Sequence, residues 1–342
     1  MSAARRLFFA ALVLAGGAGR GDAAAAPEWK HDLYVCANLS GQSGVMGRPG
    51  AARSGLYRSS DRQTFEHLGP HHIRMFTVTY DPREVTTLYL GALDGVLRTR
   101  DGGRSWRILT SWDMTEPHAV AFDRLAPDHI YAGLPDGIAV SPDRGQTWMR
   151  RHAGIRRAYT QTVTIDRTQA GRVLAGTEKG IFLSEDGART WRLVQATDKV
   201  TYDLRQSPHD AAKFFAVTSS DGALWSDDAG RSWRRVAGIP ADRTLHNGEF
   251  DPADARRLVV CGWGCGVMVS EDSGRTWLDR TAGLPNREVW SVAIDPDRPG
   301  RLYAAPFLEA LYVSDDFGRS WRPLFFENAI VFSLTFVPRA AP

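Results

Sequence analysis

One eight-residue motif returns along this 342-residue chain, and its even spacing restricts the fold more than any other feature. In each copy a Ser or Thr is followed by Asp, then by Gly or Ala, then by Ser or Thr, and finally by Trp. The aspartates lie 40 to 44 residues apart, and such a period is the signature of a repeat architecture. Six complete copies occupy residues 99–106, 141–148, 184–191, 226–233, 270–277 and 314–321, and a shortened copy without the glycine occupies 59–65.

The chemistry of the motif is that of a tight turn between two strands. Its carboxylate can accept hydrogen bonds from backbone N–H groups of the same loop. The glycine permits a positive φ, and the tryptophan is expected to bury its ring within the sheet. Each copy therefore predicts a strand, a turn and a further strand.

The segments between the motifs carry two more strands each. An alternating strand ends in an Asp-Pro-like turn, as in residues 289–296, and a second strand follows, as in 301–304. Four short strands per repeat of about 43 residues are typical of a β-propeller. We therefore predict an all-β chain in which residues 26–342 form a single seven-bladed propeller with four-stranded antiparallel blades.

The two ends of the chain predict how such a ring would close. Residues 331–338 have the pattern of an innermost strand, but no blade follows them. Residues 32–36, the first strand pattern after residue 25, have instead the pattern of the second strand of a blade. We therefore expect the C-terminal strand to pair into the first blade, with Phe336 alongside the strand that contains Tyr34.

The first 25 residues have the pattern of a signal peptide. Arg5 and Arg6 precede an apolar stretch at 7–14, and small residues follow at 23–26. The arginine pair fits a twin-arginine signal as well as a general secretory one. Either route predicts a periplasmic or extracellular protein. No later segment approaches the 18 apolar residues of a membrane span, so we expect none.

Charge and cysteine content narrow the classes of ligand. The formal net charge is +3. Residues 1–25 contain three arginines and one aspartate and therefore account for +2 of this charge. The remaining chain is nearly neutral, which gives no electrostatic basis for nucleic-acid binding. The three cysteines do not match zinc-binding spacings, and we expect neither a metal nor a cofactor. Cys261 and Cys265 lie four residues apart, so a disulfide across a hairpin tip is possible in an exported protein.

These motifs make the chain resemble the Asp-box (bacterial neuraminidase repeat) superfamily over nearly all of the mature sequence. That superfamily includes sialidases, xyloglucan-cleaving glycoside hydrolases, sortilin-type receptors and photosystem II assembly-factor propellers. The resemblance implies that the box lies between the third and fourth strands, away from the ligand face. It therefore implies a structural role, not a catalytic one, for Asp61, Asp101, Asp143, Asp186, Asp228, Asp272 and Asp316.

The sequence departs from the enzymes of that superfamily. The Phe/Tyr-Arg-Ile-Pro motif of sialidases is absent before the first box, where Ile73, Arg74 and Met75 are a poor substitute. Xyloglucanases place catalytic carboxylates across a cleft between two propellers, and this sequence predicts one. The single seven-bladed layout is most similar to the assembly-factor and related non-catalytic propellers.

The innermost strands can be aligned on their Asp-Pro-like ends. Ligands of propellers bind in the central channel or on the loops opposite the boxes. Five positions before the strand ends, we expect a ring of side chains at the channel mouth: Phe332, Phe76, His118, Gln161, Tyr202, His246 and Trp290. Two positions before the ends, the equivalent residues are Thr335, Thr79, Ala121, Thr164, Arg205, Glu249 and Ala293.

Arg205 and Glu249 occupy equivalent positions on adjacent strands, and we expect them to form an ion pair. Charges near the axis are costly unless they are paired or hydrated. This polar sector has two interpretations, a structural lock beside channel water or a ligand-binding sector. The candidate binding residues are Asp203, Arg205, His246, Asn247 and Glu249, with His118, Tyr202, Trp263 and Trp290 nearby; the two tryptophans could stack on a sugar or on a partner's side chain.

The Gly- and Ser-rich segment from Asn38 to Ser54 is expected to overhang the same face as a mobile flap. It is either a partner-binding loop or a disordered insertion.

We predict an exported, monomeric, non-catalytic scaffold that binds a protein or a carbohydrate on the face opposite the boxes. The alternative is a glycoside hydrolase of sialidase or xyloglucanase type that uses carboxylates near the channel, Asp203 and Glu249. Carboxylate catalysis needs a defined separation between the two groups, which only a structure supplies. A third possibility is a purely structural module of a larger secreted complex.

Overall fold

The computed structural model describes residues 29–45, 48–49, 54–71, 74–151, 153–155 and 158–340. The predicted signal peptide, residues 1–25, lies outside this part of the chain. Every element described is a β-strand, and no described segment forms a helix long and apolar enough to cross a membrane. The chain is therefore all-β, as predicted.

Five of the sheets are four-stranded and antiparallel, and each is built from consecutive strands. In each sheet the first strand in sequence lies at one edge and the fourth at the other. Their strands are β5 (Met75–Asp81), β6 (Glu84–Ala92), β7 (Gly95–Thr99) and β8 (Arg107–Ile108); β9 (Ala119–Phe122), β10 (Ile130–Leu134), β11 (Gly137–Ser141) and β12 (Met149–Arg150); β13 (Thr160–Ile165), β14 (Val173–Thr177), β15 (Gly180–Ser184) and β16 (Arg192–Ala196); β17 (Thr201–Gln206), β18 (Phe214–Thr218), β19 (Ala223–Ser226) and β20 (Arg234–Arg235); and β21 (Thr244–Phe250), β22 (Leu258–Trp263), β23 (Gly266–Ser270) and β24 (Leu278–Asp279).

The remaining strands form one eight-stranded sheet that joins the two ends of the chain. Its order along the sheet is β25 (Val289–Ile294), β26 (Leu302–Pro306), β27 (Glu309–Ser314), β28 (Arg322–Pro338), β1 (His31–Val45), β3 (Gly55–Ser59) and β4 (Glu66–Leu68), with β2 (Arg48–Pro49) beside β1. The first part of β28 pairs with β27, and its last part pairs with β1. Phe336 lies opposite Leu33, and Thr335 lies opposite Tyr34. The tail strand therefore pairs where the sequence predicted it.

The first strands of successive sheets pack against one another. Contacts run from β5 to β9, β13, β17, β21, β25 and β28, and β28 in turn contacts β5. Apolar side chains fill the space between neighbouring sheets; Leu174 and Leu183, for example, pack with Leu204 and Phe214 of the following sheet. The second and third strands are almost wholly buried, because a sheet covers them on both faces. Repeated four-stranded sheets packed in this way are typical of a propeller.

The Asp-box turns use their carboxylates on their own backbone. Asp101 Oδ1 accepts hydrogen bonds from the N–H groups of Arg104 and Ser105 at 3.0 and 2.9 Å. Ser105 Oγ donates to the other oxygen at 2.6 Å. In the shortened first copy, Asp61 accepts from Gln63 and Thr64, because the deleted glycine brings the hydroxyl residue one position closer. The same hydrogen bonds to the following Ser or Thr recur at Asp143, Asp186, Asp228, Asp272 and Asp316.

A buried ion-pair network ties the first box to the loop after β25, near the other edge of the same eight-stranded sheet. Arg62 donates from Nε to Asp295 at 3.0 Å and from Nη2 to Asp297 at 3.3 Å, and its side chain is 1% exposed. The guanidinium also lies over the rings of Trp29 and Phe336. The contacts therefore connect the head, the tail and the last complete repeat of the chain.

The expectation of a mobile flap from Asn38 to Ser54 is wrong for most of this segment. Strand β1 continues through residue 45 and pairs with β28, with Asn38 opposite Ile330 and Leu39 opposite Ala329. The physical reason is the length of β28, which offers a further backbone edge beyond the four-stranded part of the sheet. Residues 46–47 and 50–53 lie outside the described part of the chain.

Candidate binding site in the central channel

A cavity of about 590 Å³ lies between the first strands of the sheets. All seven residues predicted to ring the channel mouth line it: Phe332, Phe76, His118, Gln161, Tyr202, His246 and Trp290. Of the deeper set, five line the same cavity: Thr335, Thr79, Ala121, Thr164 and Arg205. Glu249 lines a second cavity of about 370 Å³ instead, and Ala293 is buried in the apolar core.

Six of the mouth residues form a continuous run of ring contacts, which we call the aromatic mouth: Tyr202, His246, Trp290, Phe332, Phe76 and His118. Ring centroids of neighbours in this order lie 4.3 to 5.6 Å apart. The closest parallel stacks are Trp290 on His246 and Phe76 on His118. Six of the seven aligned innermost strands contribute one ring each and β13 contributes Gln161, because the same strand position recurs at the same height along the axis.

The hairpin tips beside the aromatic mouth extend its apolar surface. Trp263, at the tip between β22 and β23, is 39% exposed, and its ring lies 5.8 Å from that of Trp290. Phe307, at the tip between β26 and β27, lies 5.4 Å from Trp263. The neighbouring Leu308 is 45% exposed. Phe307 and Leu308 were not predicted from the sequence. The signal was their position at the tip after a second strand, which is equivalent to the position of Trp263.

The aromatic mouth carries no positive charge at neutral pH. Burial lowers the pKa of His118 and of His246 to about 4, because the surrounding rings desolvate each imidazole. Tyr159 Oη lies 2.8 Å from His118 Nε2, a contact that the sequence analysis did not foresee. The pKa of Tyr159 is raised to about 12, mainly by burial. The two histidines therefore act here as neutral aromatic rings.

Asp203 is the hub of the polar sector below the aromatic mouth. Its Oδ2 accepts hydrogen bonds from Arg205 Nε at 3.0 Å, from Asn247 Nδ2 at 2.8 Å and from Gly248 N at 3.3 Å. Its Oδ1 accepts from Leu204 N at 2.9 Å. Four donors therefore occupy this carboxylate, and two of them come from the neighbouring strand β21.

The predicted ion pair between Arg205 and Glu249 is wrong. Arg205 pairs with Asp203, because residues two apart on a strand lie on the same face. Glu249 reaches the following strand instead, where its Oε2 accepts a hydrogen bond from Ile294 N at 2.8 Å. Burial raises the pKa of Glu249 to about 7, although the nearby charge of Arg205 acts in the opposite direction.

Asn247 completes a set of side chains that bridge neighbouring first strands. Its Oδ1 accepts from Val292 N at 2.9 Å, two residues before the N–H group bound by Glu249. Asp203, Asn247 and Glu249 thus have the geometry of the structural lock, one of the two interpretations given to this sector. Arg205 differs from them, because its side chain remains 46% exposed and lines the channel.

The possible disulfide between Cys261 and Cys265 is not formed, and both residues are buried free thiols. Cys261 packs with Val259 and Val267, whereas Cys265 packs with Phe215 and other residues on the opposite side of the sheet. The two side chains therefore point to opposite faces. Among the described residues, no group of three or more metal-ligating side chains converges.

Comparisons with known proteins identify similar sequences and folds. A protein-family model described as photosynthesis system II assembly factor YCF48 matches residues 70–325. No curated protein matches the sequence. A GH74 enzyme from Niastella koreensis has a similar structure, with a TM-score of 0.66 and 16% identity over 78% of this chain and 50% of that one. This chain therefore spans about half the length of that enzyme.

Two YCF48 structures are also similar and are covered over most of their length. YCF48 bound to D1 peptide has a TM-score of 0.58 and 18% identity, over 84% of this chain and 87% of that one. YCF48 from Cyanidioschyzon merolae has a TM-score of 0.57 and 19% identity, over 74% of this chain and 85% of that one. At these identities the structural likeness concerns the fold alone.

Proposed function

We propose, from the premise that this chain belongs to the photosynthesis system II assembly factor YCF48 family, that it is a non-catalytic scaffold that binds a protein partner. The scaffold is a seven-bladed propeller closed by the C-terminal strand. The partner binds on the face opposite the Asp boxes, at the aromatic mouth and the hairpin tips beside it. The protein works outside the cytoplasm, after removal of residues 1–25.

The single observation that carries the proposal is the apolar surface formed by the aromatic mouth with Trp263 and Phe307. Aromatic rings that already pack on one another lose little conformational freedom on binding, and tryptophan and tyrosine are enriched among the hot-spot residues of protein interfaces. A structure of YCF48 bound to D1 peptide supports a protein ligand for this fold.

A non-catalytic role is supported by how the candidate carboxylates are used. Asp203 accepts four hydrogen bonds from the chain itself, and Glu249 accepts one at Oε2. The seven box aspartates are likewise occupied by their own turns. This use of the acids favours structure over hydrolysis.

The test is identification of a partner whose binding depends on the aromatic mouth. Cross-linking of the full chain in the envelope fraction, followed by mass spectrometry, is compared for wild type, Trp290→Ala and Trp112→Ala. Trp112 is 90% exposed on the loop before β9 and makes no ring contact with the mouth, so it is the matched control. A partner found this way is then purified, and its Kd is measured for each variant.

We expect Trp290→Ala and Trp263→Ala to weaken binding at least about tenfold, as truncation of a hot-spot residue does. Trp112→Ala should leave the Kd unchanged. If no partner distinguishes Trp290→Ala from Trp112→Ala, the scaffold proposal fails.

The alternative is a glycoside hydrolase, favoured by the likeness to GH74 enzymes and by the two acids near the channel. Purified protein is assayed on xyloglucan and on aryl-glycosides. Turnover that is lost in both Asp203→Asn and Glu249→Gln, with unchanged melting temperatures, would replace the scaffold proposal by this one.

A further inference from the structure

Below the aromatic mouth, the charged side chains that line the larger cavity are three arginines and one aspartate: Arg124, Arg167, Arg205 and Asp203. The aspartate is paired with Arg205 and accepts three further hydrogen bonds from uncharged N–H groups. His118 and His246 carry no charge at neutral pH. The lumen is therefore net positive beneath a neutral aromatic rim, a combination that attracts anions.

Arg205 has donors that the chain does not use. Its Nε donates to Asp203, and within the described residues neither Nη nitrogen forms a hydrogen bond. The side chain is 46% exposed, so these N–H groups face the channel. Two adjacent guanidinium nitrogens with free N–H groups match the two oxygens of a carboxylate.

A second arginine, which follows the end of β9, lines the same cavities as Arg205. Arg124 and Arg205 line both cavities, and so do Tyr80 and Thr335. The two cavities also share Gln206, Pro208 and Leu334, so these seven residues lie where the cavities adjoin. Arg124 is exposed, and its Nη2 donates to Tyr80 Oη at 3.2 Å. Glu249, the acid that lines the second cavity, accepts a hydrogen bond from Ile294 N.

We propose that Arg205 and Arg124 form a carboxylate receptor in the channel below the aromatic mouth, where the two cavities adjoin. The ligand is a peptide segment that carries a carboxylate next to an aromatic or large aliphatic side chain. The apolar side chain lies in the aromatic mouth, and the carboxylate binds the free Nη groups below it. Only the identification of the ligand as a peptide rests on the proposed function; the receptor rests on the arginines.

The first experiment measures the receptor without any protein partner. Binding of 3-phenylpropionate to the full chain is measured by calorimetry, with 3-phenylpropanamide as the uncharged analogue. We expect saturable binding of the acid and binding of the amide that is at least about tenfold weaker, because hydrogen bonds to charged groups are the strong ones. Equal affinity for acid and amide, or no saturable binding of the acid, overturns the proposal.

Variants locate the binding. Arg205→Gln should weaken binding of the acid at least about tenfold and leave that of the amide unchanged. Arg275→Gln is the matched control, because Arg275 belongs to an Asp box on the opposite face. If Arg205→Gln lowers the melting temperature, Arg124→Gln gives the same test without removing the partner of Asp203. Wild-type affinity in the Arg205 and Arg124 variants overturns the proposal.

Three blocked peptides then distinguish the sources of the carboxylate. They are acetyl-Ala-Ala-Ala-Phe with a free C-terminus, acetyl-Ala-Glu-Phe-Ala-amide and acetyl-Ala-Gln-Phe-Ala-amide. Tighter binding of the first assigns the site to chain ends, and tighter binding of the second assigns it to acidic side chains. Equal affinity of all three contradicts the receptor.

The two proposals fail separately. A partner that depends on Trp290 but binds Arg205→Gln like wild type leaves the scaffold intact and removes the receptor. If carboxylate binding depends on Arg205 but no partner depends on Trp290, the receptor stands and the scaffold proposal fails.

Discussion

At the scale of single residues, side chains of the polar sector accept hydrogen bonds from backbone N–H groups of the neighbouring first strand. One edge of each first strand pairs within its own sheet, and alternate N–H groups point away from that sheet. The N–H groups of Gly248, Val292 and Ile294 would lack partners there. Asp203, Asn247 and Glu249 accept hydrogen bonds from them. A buried N–H group without a partner is costly, so these side chains stabilise the contact between sheets.

Glu249 makes this arrangement dependent on pH. Its pKa is about 7 in the folded chain, raised by burial from an ordinary value of 4.5. Its contribution to stability is therefore fully present below about pH 4.5 and is lost as the pH rises through 7. Glutamine keeps an acceptor for Ile294 N and does not ionise. We expect Glu249→Gln to match wild type at pH 5 and to exceed it by up to about 3 kcal/mol at pH 8.5.

Urea unfolding at the two pH values measures this difference. Glu66→Gln is the control, because the Glu66 side chain is 62% exposed. A gain in the Glu249 variant that is the same at pH 5 and pH 8.5 would contradict the assignment.

The three cysteines give a second prediction at this scale. All are buried and free, and burial raises the pKa of Cys36 to about 12 and that of Cys265 to about 11. Thiolates are therefore scarce at neutral pH. We expect no reaction with a thiol reagent in the folded protein, three reactive thiols after unfolding, and a melting temperature that dithiothreitol does not change. A lower melting temperature on reduction would instead reveal a disulfide.

At the scale of elements, the junction between β28, β1 and the first box differs from the other repeats. The box residue after the aspartate is Arg62, which adopts a positive φ of 64° and reaches the two acids in the loop after β25. Arg144 occupies the same place in another box and reaches Asp81. At the junction, however, the guanidinium is buried and is covered by aromatic rings. The junction is therefore stabilised by charge as well as by strand pairing.

Removal of Arg62 should expose this difference. Arg62→Ala leaves Asp295 and Asp297 buried without their cation, and we expect a loss of about 3–5 kcal/mol in the free energy of unfolding. Arg231→Ala removes an exposed ion pair with Glu185 and should cost less than about 1 kcal/mol. Denaturant unfolding of both variants gives the comparison. Equal losses would mean that the junction network adds nothing beyond an ordinary surface pair.

At the scale of the whole molecule, the repeats place the Asp boxes and the aromatic mouth at opposite ends of the first strands. The boxes lie at the ends of the third strands, on the side where the first strands end. The aromatic mouth lies where the first strands begin, so the two sets of residues occupy opposite faces. Each box aromatic residue also packs against an apolar cluster. Of these residues only Trp191 is fully buried, at 6% exposure. Changes on one face should therefore leave the other face intact.

A pair of variants tests this separation. Asp272→Ala removes the hydrogen-bond acceptor of one turn and should lower the melting temperature. At temperatures well below melting, the affinity of this variant for 3-phenylpropionate should equal that of wild type. Trp290→Ala should weaken that affinity and have a smaller effect on melting. A box substitution that weakens binding in a fully folded sample would show that the two faces are coupled.

The sequence alone determined the strands, the turns and the ring of residues at the channel mouth. These follow from local rules: alternation fixes which side chains share a face, and the box fixes where each turn falls. All seven predicted mouth residues line one cavity because a repeated strand repeats its register. The pairing of Phe336 opposite Leu33 was predictable for the same reason.

The tertiary structure alone decided which groups each side chain meets. Glu249 bonds to Ile294, Arg205 bonds to Asp203, the cysteines point apart, and β1 extends along β28. These choices depend on a neighbouring sheet some 40 residues away in the sequence, and on which buried N–H groups lack a partner there. A pattern within one repeat carries no information about that neighbour.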